Sequence, residues 1–276
     1  MKTVLITGAT SGIGKATAHA LAAMGYQVIL AARNLDKAEA VKQEIISQTG
    51  NNNINYIITD LTSKIRVRES IETFKKNYQS LDVLINNAGV CLPRKRITND
   101  GMEESFQINH LSYFMFSNLL IDNLKKSANP RIIVVSSGAY AGGKFDPDNF
   151  QSEKGFSPFG TYSNTKLLNI LFTLELAERL KDTPITVNAL HPGVVSTNFG
   201  SEIKGLYSVL YGIFKVFLLS PEKGAETSVY LASSEEVKNV TGKYFVKCKP
   251  AEIKNVYVTP GNRKILWEKS LLLSGL

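Results

Sequence analysis

Short apolar runs recur along the chain and alternate with longer stretches in which apolar residues return every three or four positions. Continuous Val- and Ile-rich runs are typical of parallel strands covered on both faces, and the three-to-four spacing is typical of amphipathic helices. This alternation predicts an α/β fold with one doubly wound domain over residues 1–276. The predicted strands cover residues 4–6, 28–30, 54–58, 83–85, 132–135, 185–190 and 244–246.

Helical patterns fill the intervals between these runs. The first helix keeps its apolar residues on one side from Ile13 to Met24, and Gly25 is predicted to end it as a C-cap. Two connections are unusually long, residues 138–160 and 198–220. Ligands of such sheets bind outside the carboxyl ends of the strands, so we expect substrate to contact these loops. Further helices are predicted at about residues 35–47, 63–78, 101–126, 161–181 and 221–232.

The composition is that of an ordinary globular protein, since 43% of the 276 residues are hydrophobic and 20% are charged. The 32 Lys and Arg outnumber the 24 Asp and Glu, which gives a net charge of +8. The excess is scattered rather than gathered into a basic arm, so we expect no nucleic-acid partner. It would attract an anionic small molecule or an anionic membrane surface, and the charge alone leaves both open.

Cysteine and histidine are scarce. The 2 cysteines form no CxxC pair and the 3 histidines have no metal-ligand spacing, so we expect no metal site and a reducing compartment. The N-terminus enters an apolar strand directly, without the apolar region of a secretory signal. We therefore expect a cytoplasmic protein, with peripheral membrane contact as the alternative that stays open.

One apolar stretch, residues 206–219, is too short and too interrupted for a transmembrane helix. It lies within the second long connection, where we expect a substrate loop and lid at about residues 198–220. Three interpretations of its apolar side chains stay open. They are a lid over a hydrophobic substrate, a helix packed on its own domain or on a partner subunit, and a membrane contact.

A glycine-rich turn joins the first strand to the first helix. Backbone N–H groups and the helix dipole at such a turn can hold a pyrophosphate. A side chain at Gly8 would obstruct the turn, one at Gly12 would block the phosphate, and one at Gly14 would separate helix from strand. We assign the neighbouring Ser11 and Ile13 to the same dinucleotide-binding site; the alternative is a loop that only turns the chain.

The end of the second strand bears no carboxylate to bind the ribose of NAD. Arg33 and Asn34 stand there instead. The planar guanidinium of Arg33 matches a 2′-phosphate, which favours NADP(H) over NAD(H). The alternative is a solvated surface arginine.

Tyr162 and Lys166 are four residues apart at the start of a helical pattern and therefore neighbours on one face. A free tyrosine titrates near pH ~10, and an adjacent ammonium would lower that pKa toward the range of a useful base. This spacing is common, and its alternative is an amphipathic surface pair.

Taken together, these motifs and several others resemble the short-chain dehydrogenase/reductase superfamily and follow its order. The resemblance implies a Rossmann-like sheet of seven parallel strands and hydride transfer to or from a nicotinamide. The residues that carry it are 7–14, Asp60, 86–89, Asn109, 136–137, 162–166 and 192–193.

The same resemblance implies a catalytic tetrad of Asn109, Ser137, Tyr162 and Lys166. Tyr162 would exchange a proton with the substrate oxygen, and Ser137 would hydrogen-bond that oxygen. Lys166 would stabilise the phenolate, and Asn109 would hold a water that connects Lys166 to solvent.

Further contacts with the dinucleotide follow from the resemblance. A helix cap at Asp60 and a tight turn at residues 87–89 are compatible alternatives. His191 is expected to pack or hydrogen-bond rather than react. The implied contacts are Asp60, Leu61, Asn87, Ala88, Gly89, Tyr162, Lys166, Pro192, Gly193, Val195 and Thr197.

Ser137 precedes Tyr162 by 25 residues, which is longer than in the shortest superfamily members. The insertion at residues 138–160, with agreement at 221–225, 242–245 and 266–268, resembles the retinol dehydrogenase-like branch. Its members act on retinoids, other lipid aldehydes, ketones or steroids, mostly with NADP(H). We therefore expect an oxidoreductase of hydrophobic aldehydes, ketones or alcohols.

The sequence also bears on the oligomeric state and on the rival functional class. The helices near 101–126 and 161–181 resemble the family's dimer-forming pair, which implies a homo-oligomer. The rival functional hypothesis is a non-catalytic NADP-sensing binding protein. The complete set of proton-transfer residues argues against it, because a sensor needs none.

Overall fold

A computed structural model describes residues 1–193 and 219–276 of the chain. The strands are β1 Thr3–Thr7, β2 Gln27–Ala32, β3 Ile54–Ile58, β4 Val83–Asn86, β5 Arg131–Val135, β6 Thr186–His191, β7 Tyr244–Val246 and β8 Lys249–Ala251. They form one sheet in the order β3-β2-β1-β4-β5-β6-β7-β8. The strand order reverses between the neighbours β1 and β4, and ligands of such sheets bind at the carboxyl ends of the strands at this point.

The first seven strands are parallel and match the seven apolar runs, so the prediction of a doubly wound α/β sheet is confirmed. The strand count of seven needs one correction, because β8 pairs antiparallel with β7 at the edge of the sheet. This strand is three residues long, contains Pro250 and has two exposed positions. It therefore lacks the apolar signal that marks the others.

Helices cover both faces of the sheet. They are α1 Gly12–Ala23, α2 Leu35–Thr49, α3 Lys64–Asn77, α4 Glu104–Phe106, α5 Ser112–Leu119, α6 Ile121–Leu124, α7 Pro158–Arg179, α8 Pro221–Ser233 and α9 Pro260–Ser274. Side-chain caps from Asn34, Ser63 and Ser220 set the starts of α2, α3 and α8.

Two helical predictions differ from the structure. The single helix expected at 101–126 is divided into α4, α5 and α6, and a π-helical segment, Gln107–Leu111, lies between α4 and α5. The C-terminal helix α9 was not predicted, because its first turn is polar and contains Gly261. Short 3-10 helices occupy Gly138–Gly142 and Glu235–Val237.

Two apolar layers enclose the sheet. On one face α1, α2 and α8 cover the strands with side chains such as Leu21, Ile45 and Leu231. On the other face α3, α5, α7 and α9 form a larger layer, rich in aromatic rings. Burial on both faces explains why the strands read as continuous apolar runs.

The C-terminal helix α9 packs across α5 and α7. The Trp267 ring lies 4.9 Å from the Phe114 ring and 6.3 Å from the Phe172 ring, centroid to centroid. The Arg179 guanidinium stacks on Trp267 at 4.2 Å. The chain's own helix thus covers part of the helix pair expected to form a dimer, and the homo-oligomer stays a prediction.

Nearly all of the loop and lid expected at about residues 198–220 lies outside the described part of the chain, as do Val195 and Thr197. Among the helices that the structure describes, none is both long and apolar enough to cross a bilayer. The described residues also include no cluster of His, Cys, Asp or Glu that could hold a metal ion.

Candidate active site

The glycine-rich turn lies at the carboxyl end of β1, in close contact with the end of β4. Gly8 has a φ of +66°, and an added Cβ would approach the Ala88 Cα to 2.9 Å. A Cβ on Gly14 would overlap the Gly8 carbonyl oxygen and lie 2.5 Å from Asn87 Nδ2. A side chain at Gly8 would therefore collide with the turn after β4, and one at Gly14 would push the start of α1 away from the end of β1.

Two side chains join the ends of β1 and β4. Thr7 Oγ1 accepts hydrogen bonds from the backbone N–H of Asn87 at 2.9 Å and of Ala88 at 3.1 Å. Asn87 Nδ2 donates to the Thr7 carbonyl at 2.8 Å. Thr7 was not selected as a site residue, although it begins the glycine motif. Thr7 thereby ties the start of the glycine-rich turn to the end of β4.

Arg33 is exposed and is the first residue after β2. In the part of the chain that the structure describes, its guanidinium makes no hydrogen bond or ion pair, so it can reach a ligand. Asn34 Oδ1 accepts from the Lys37 N–H at 2.8 Å and caps α2. The amide oxygen of Asn34 is thus already engaged, which weakens its assignment as a cofactor contact.

Asp60 forms a turn just beyond β3. Its Oδ1 accepts from the Thr62 N–H at 3.0 Å and from Thr62 Oγ1 at 2.8 Å, while Leu61 packs against the core. Asp60 therefore stabilises a turn rather than capping a helix, since Ser63 is the N-cap of α3. An adenine contact at the same residues stays a prediction.

Ser137, Tyr162 and Lys166 come together beyond the carboxyl end of β5. Ser137 lies two residues after this strand, and its side chain hydrogen-bonds with that of Tyr162. Lys166 Nζ lies 5.6 Å from the Tyr162 ring centroid and donates to the Val135 carbonyl at 3.0 Å. Three of the four predicted tetrad side chains are therefore neighbours.

Burial dominates the protonation of this group. It raises the pKa of Tyr162 to about 12, although the hydrogen bond with Ser137 lowers it and the nearby Cys91 thiol adds to the rise. Burial alone lowers the pKa of Lys166 to about 7. The lysine side chain is 3% exposed.

The expected lowering of the tyrosine pKa by the lysine is wrong for this structure. Lys166 Nζ hydrogen-bonds the Val135 carbonyl, and the loss of water around Tyr162 is the largest influence on the pKa of the phenol and raises it. At neutral pH the phenol is therefore protonated, which is the state that a proton donor requires.

Asn109 lies in the π-helical segment and is fully buried. Its Oδ1 accepts from the Val90 N–H at 2.8 Å, and its Nδ2 donates to the Val90 carbonyl at 2.9 Å and to Thr165 Oγ1 at 3.0 Å. The side chain thus connects the segment after β4 with α7, one residue before Lys166. π-Helical turns often occur at functional sites.

The end of β6, the strand beside β5, lies next to Ser137 and completes the site. His191 Nδ1 accepts from the Gly138 N–H at 3.0 Å, so His191 hydrogen-bonds as expected. Burial lowers its pKa, which keeps this nitrogen available as an acceptor. Pro192 and Gly193 follow directly, with a φ of +86° at Gly193. They lie at the same end of the sheet.

Besides Thr7, sequence reasoning missed two polar residues of the site. Tyr113 donates its hydroxyl proton to the Ala88 carbonyl at 2.6 Å. Thr165 Oγ1 accepts from Asn109 and donates to the Tyr162 carbonyl at 2.8 Å. Their spacing from selected residues was the available signal, since Tyr113 is four residues after Asn109 and Thr165 precedes Lys166.

Comparison with known proteins agrees with this arrangement. A family model described as short chain dehydrogenase matches residues 2–205. Human retinol dehydrogenase 14 is 40% identical over 291 residues, covering 100% of this chain and 87% of that protein. Human retinol dehydrogenase 13 is also 40% identical, covering 100% and 85%. These relatives confirm the retinol dehydrogenase-like branch.

Solved structures agree on the fold. An uncharacterised protein from Mycobacterium paratuberculosis superposes with a TM-score of 0.80 at 29% identity, covering 100% of this chain and 94% of that one. A short chain dehydrogenase from Escherichia coli CFT073, solved with NADPH, has a TM-score of 0.70 at 23% identity, covering 89% and 96%.

Proposed function

Since the chain belongs to the short chain dehydrogenase family, we propose that it transfers a hydride between NADP(H) and a hydrophobic aldehyde, ketone or alcohol. The observation that carries the proposal is the grouping of Ser137, Tyr162 and Lys166 at one end of the parallel sheet. That end also bears the glycine-rich turn, so a dinucleotide and a proton donor can meet there.

Each side chain has a defined task in this reaction. When bound, the nicotinamide would give or take the hydride at the substrate carbon. Tyr162, protonated at neutral pH, would donate its hydroxyl proton to a carbonyl oxygen, and Ser137 would hold that oxygen by a hydrogen bond. Lys166 would then stabilise the phenolate that remains, because its ammonium lies beside the ring.

The cofactor preference rests on Arg33. An exposed guanidinium at the end of β2, with no carboxylate beside it in the sequence, supports recognition of a 2′-phosphate. Glycines 8, 12 and 14 with Ser11 and Ile13 would hold the pyrophosphate, and residues 60–61, 87–89 and 192–193 the remaining parts. The choice of NADP(H) over NAD(H) is therefore a proposal that substitution of Arg33 can test.

The substrate class rests on the apolar surroundings of Tyr162. The Phe159 side chain is 67% exposed, and its ring lies 6.4 Å from that of Tyr162. Cys91 is half-buried on the same side, with its thiol near the Pro158 carbonyl. The relatives named retinol dehydrogenases support an apolar alcohol or aldehyde of retinoid, lipid or steroid type.

The decisive experiment follows NADPH consumption with a panel of apolar carbonyls, including retinal, a medium-chain aldehyde and a steroid ketone. We expect turnover with at least one of them, and Tyr162→Phe should abolish it while leaving NADPH binding nearly unchanged. Tight NADPH binding with no turnover at any pH would contradict the enzymatic proposal and favour a non-catalytic sensor. An active Tyr162→Phe variant would show that another acid donates the proton.

We also propose that the protein works in the cytoplasm, and that its net charge of +8 permits peripheral contact with anionic membranes. Sedimentation with anionic vesicles at low salt tests this contact, and protein left in the supernatant would exclude it. Measurement of the molar mass in solution tests the predicted homo-oligomer, for which α9 leaves less of the α5 and α7 surface free.

A further inference from the structure

The turn that follows β4 separates the glycine-rich turn from the buried lysine. On one side, the Ala88 Cα is so close to Gly8 that a Cβ there would lie 2.9 Å away. On the other side, a Cβ on Gly89 would lie 3.3 Å from Lys166 Nζ and 3.6 Å from Asn109 Oδ1. Movement of this turn would therefore displace both the dinucleotide-binding turn and Lys166.

Two buried side chains, four residues apart, hold this turn at its two ends. The Tyr113 hydroxyl donates to the Ala88 carbonyl at 2.6 Å. Asn109 bonds both the N–H and the carbonyl of Val90, at 2.8 and 2.9 Å. Both side chains are fully buried, so water cannot replace these bonds. Gly89 lies between the two fixed residues.

The ring of Tyr113 has a second contact. Lys166 Nζ lies 5.9 Å from its centroid, which is within the range of about 6 Å for a cation and an aromatic face. Among the residues that the structure describes, the titratable side chains in contact with Lys166 are Tyr113 from α5 and Tyr162 from its own helix, while Cys91 acts on Tyr162. Burial raises the pKa of Tyr113 well above its ordinary value, so its hydroxyl stays a donor.

We propose that Tyr113 is a positioning residue of the reaction, whose hydroxyl fixes the turn after β4 and whose ring holds the Lys166 ammonium in place. One side chain thereby couples dinucleotide binding to proton transfer. The inference rests on the proposed function for its kinetic consequences, whereas its structural part concerns the protein alone.

Two substitutions separate the two contacts. Tyr113→Phe keeps the ring and removes the donor to Ala88, so we expect the turn to loosen and the Kd for NADPH to rise about 10-fold, with a smaller fall in kcat. Tyr113→Leu also removes the aromatic face. We expect the midpoint at which kcat falls with rising pH to move about one pH unit lower in this variant, because the charged lysine loses its partner.

Tyr26→Phe is the matched control. The Tyr26 hydroxyl also donates to a buried carbonyl, that of Ala232 at 3.3 Å, but on the α1 and α8 face of the sheet. We expect this control to change neither the Kd for NADPH nor the pH profile.

The closing experiment measures hydrogen exchange of the backbone amides at residues 88–91 in the protein without added dinucleotide, together with the Kd for NADPH. Tyr113→Phe should exchange faster at these amides than the wild type and the Tyr26→Phe control, with the rest of the sheet unchanged. Exchange equal to that of the control would overturn the inference. If the wild type binds no NADPH, the proposed function fails, and the exchange measurement still decides the role of Tyr113.

Discussion

Substitution of the buried lysine tests how much the burial of its charge costs the folded protein. Burial lowers the pKa of Lys166 from its ordinary 10.5 to about 7. At about 1.4 kcal/mol for each pKa unit, holding the ammonium in the folded protein costs about 5 kcal/mol. Lys166→Met keeps the apolar stem and removes this cost, but leaves the Val135 carbonyl without its donor, which costs about 2 kcal/mol. We therefore expect a gain in stability of about 3 kcal/mol at pH 7.

The gain should depend on pH in a defined way. Between the folded pKa of about 7 and the ordinary value of 10.5, the unfolded chain binds more protons at this lysine than the folded chain. The contribution of Lys166 to wild-type stability therefore rises with pH over that window and is least favourable below it. By pH ~10 the cost has fallen to about 1 kcal/mol, so the lost hydrogen bond should leave Lys166→Met slightly less stable than the wild type.

Urea unfolding at pH 7 and near pH 10, without added dinucleotide, measures both values. With a slope of about 3 kcal/mol/M, the gain at pH 7 corresponds to a shift of the midpoint by about 1 M. Lys125→Met is a suitable control, because the side chain of Lys125 is 50% exposed, and a surface change of this kind is expected to stay within about 0.5 kcal/mol. A Lys166→Met variant that is no more stable at pH 7, or whose advantage persists near pH 10, would refute the reasoning.

The remaining predictions concern the cofactor and one turn. Arg33→Ala should raise the KM for NADPH by about 10-fold or more and leave the KM for NADH nearly unchanged, because only the former carries the 2′-phosphate. Equal changes in steady-state kinetics with the two cofactors would contradict this assignment. Lys247 and Cys248 join β7 to β8 with φ values of +50° and +60°. The double substitution Lys247→Asn and Cys248→Gly should therefore stabilise the protein by about 1–2 kcal/mol. A lower urea midpoint would show that side-chain contacts of this turn, such as that of Cys248 with Thr227, matter more.

The sheet could be predicted because its signal is local. A strand buried on both faces must be apolar at every position, as β4 and β5 are. Strand β8 gives no such signal, since its pairing depends on the turn at Lys247 and Cys248 rather than on its own residues. The division of the helix at 101–126 is likewise hidden, because side chains on all sides of α5 are buried and leave no amphipathic period.

The members of the site could be predicted, but their environment could not. Spacing places Tyr162 and Lys166 on one face of α7, and the structure agrees. Spacing does not reveal how deeply that face is buried, and the depth of burial decides whether the pKa of Tyr162 is raised or lowered. Tyr113 was not selected from the sequence, because its environment depends on the fold. Its partners, Ala88 and Lys166, are 25 and 53 residues away in the chain, so only the fold reveals the contacts.

The opposite pKa changes of Tyr162 and Lys166 bear on the direction of catalysis. Burial favours the neutral form of both groups, so it keeps the proton on the phenol and makes the ammonium easier to lose near pH 7. A protonated phenol can give a proton to a carbonyl oxygen, as reduction requires. Oxidation of an alcohol requires the phenolate, and a pKa of about 12 makes that form rare at neutral pH unless further positive charge is brought beside the ring. For the proposed reaction, we therefore expect the initial rate of carbonyl reduction to be highest near neutral pH, and the initial rate of alcohol oxidation to rise with pH, when each is assayed with its own substrates.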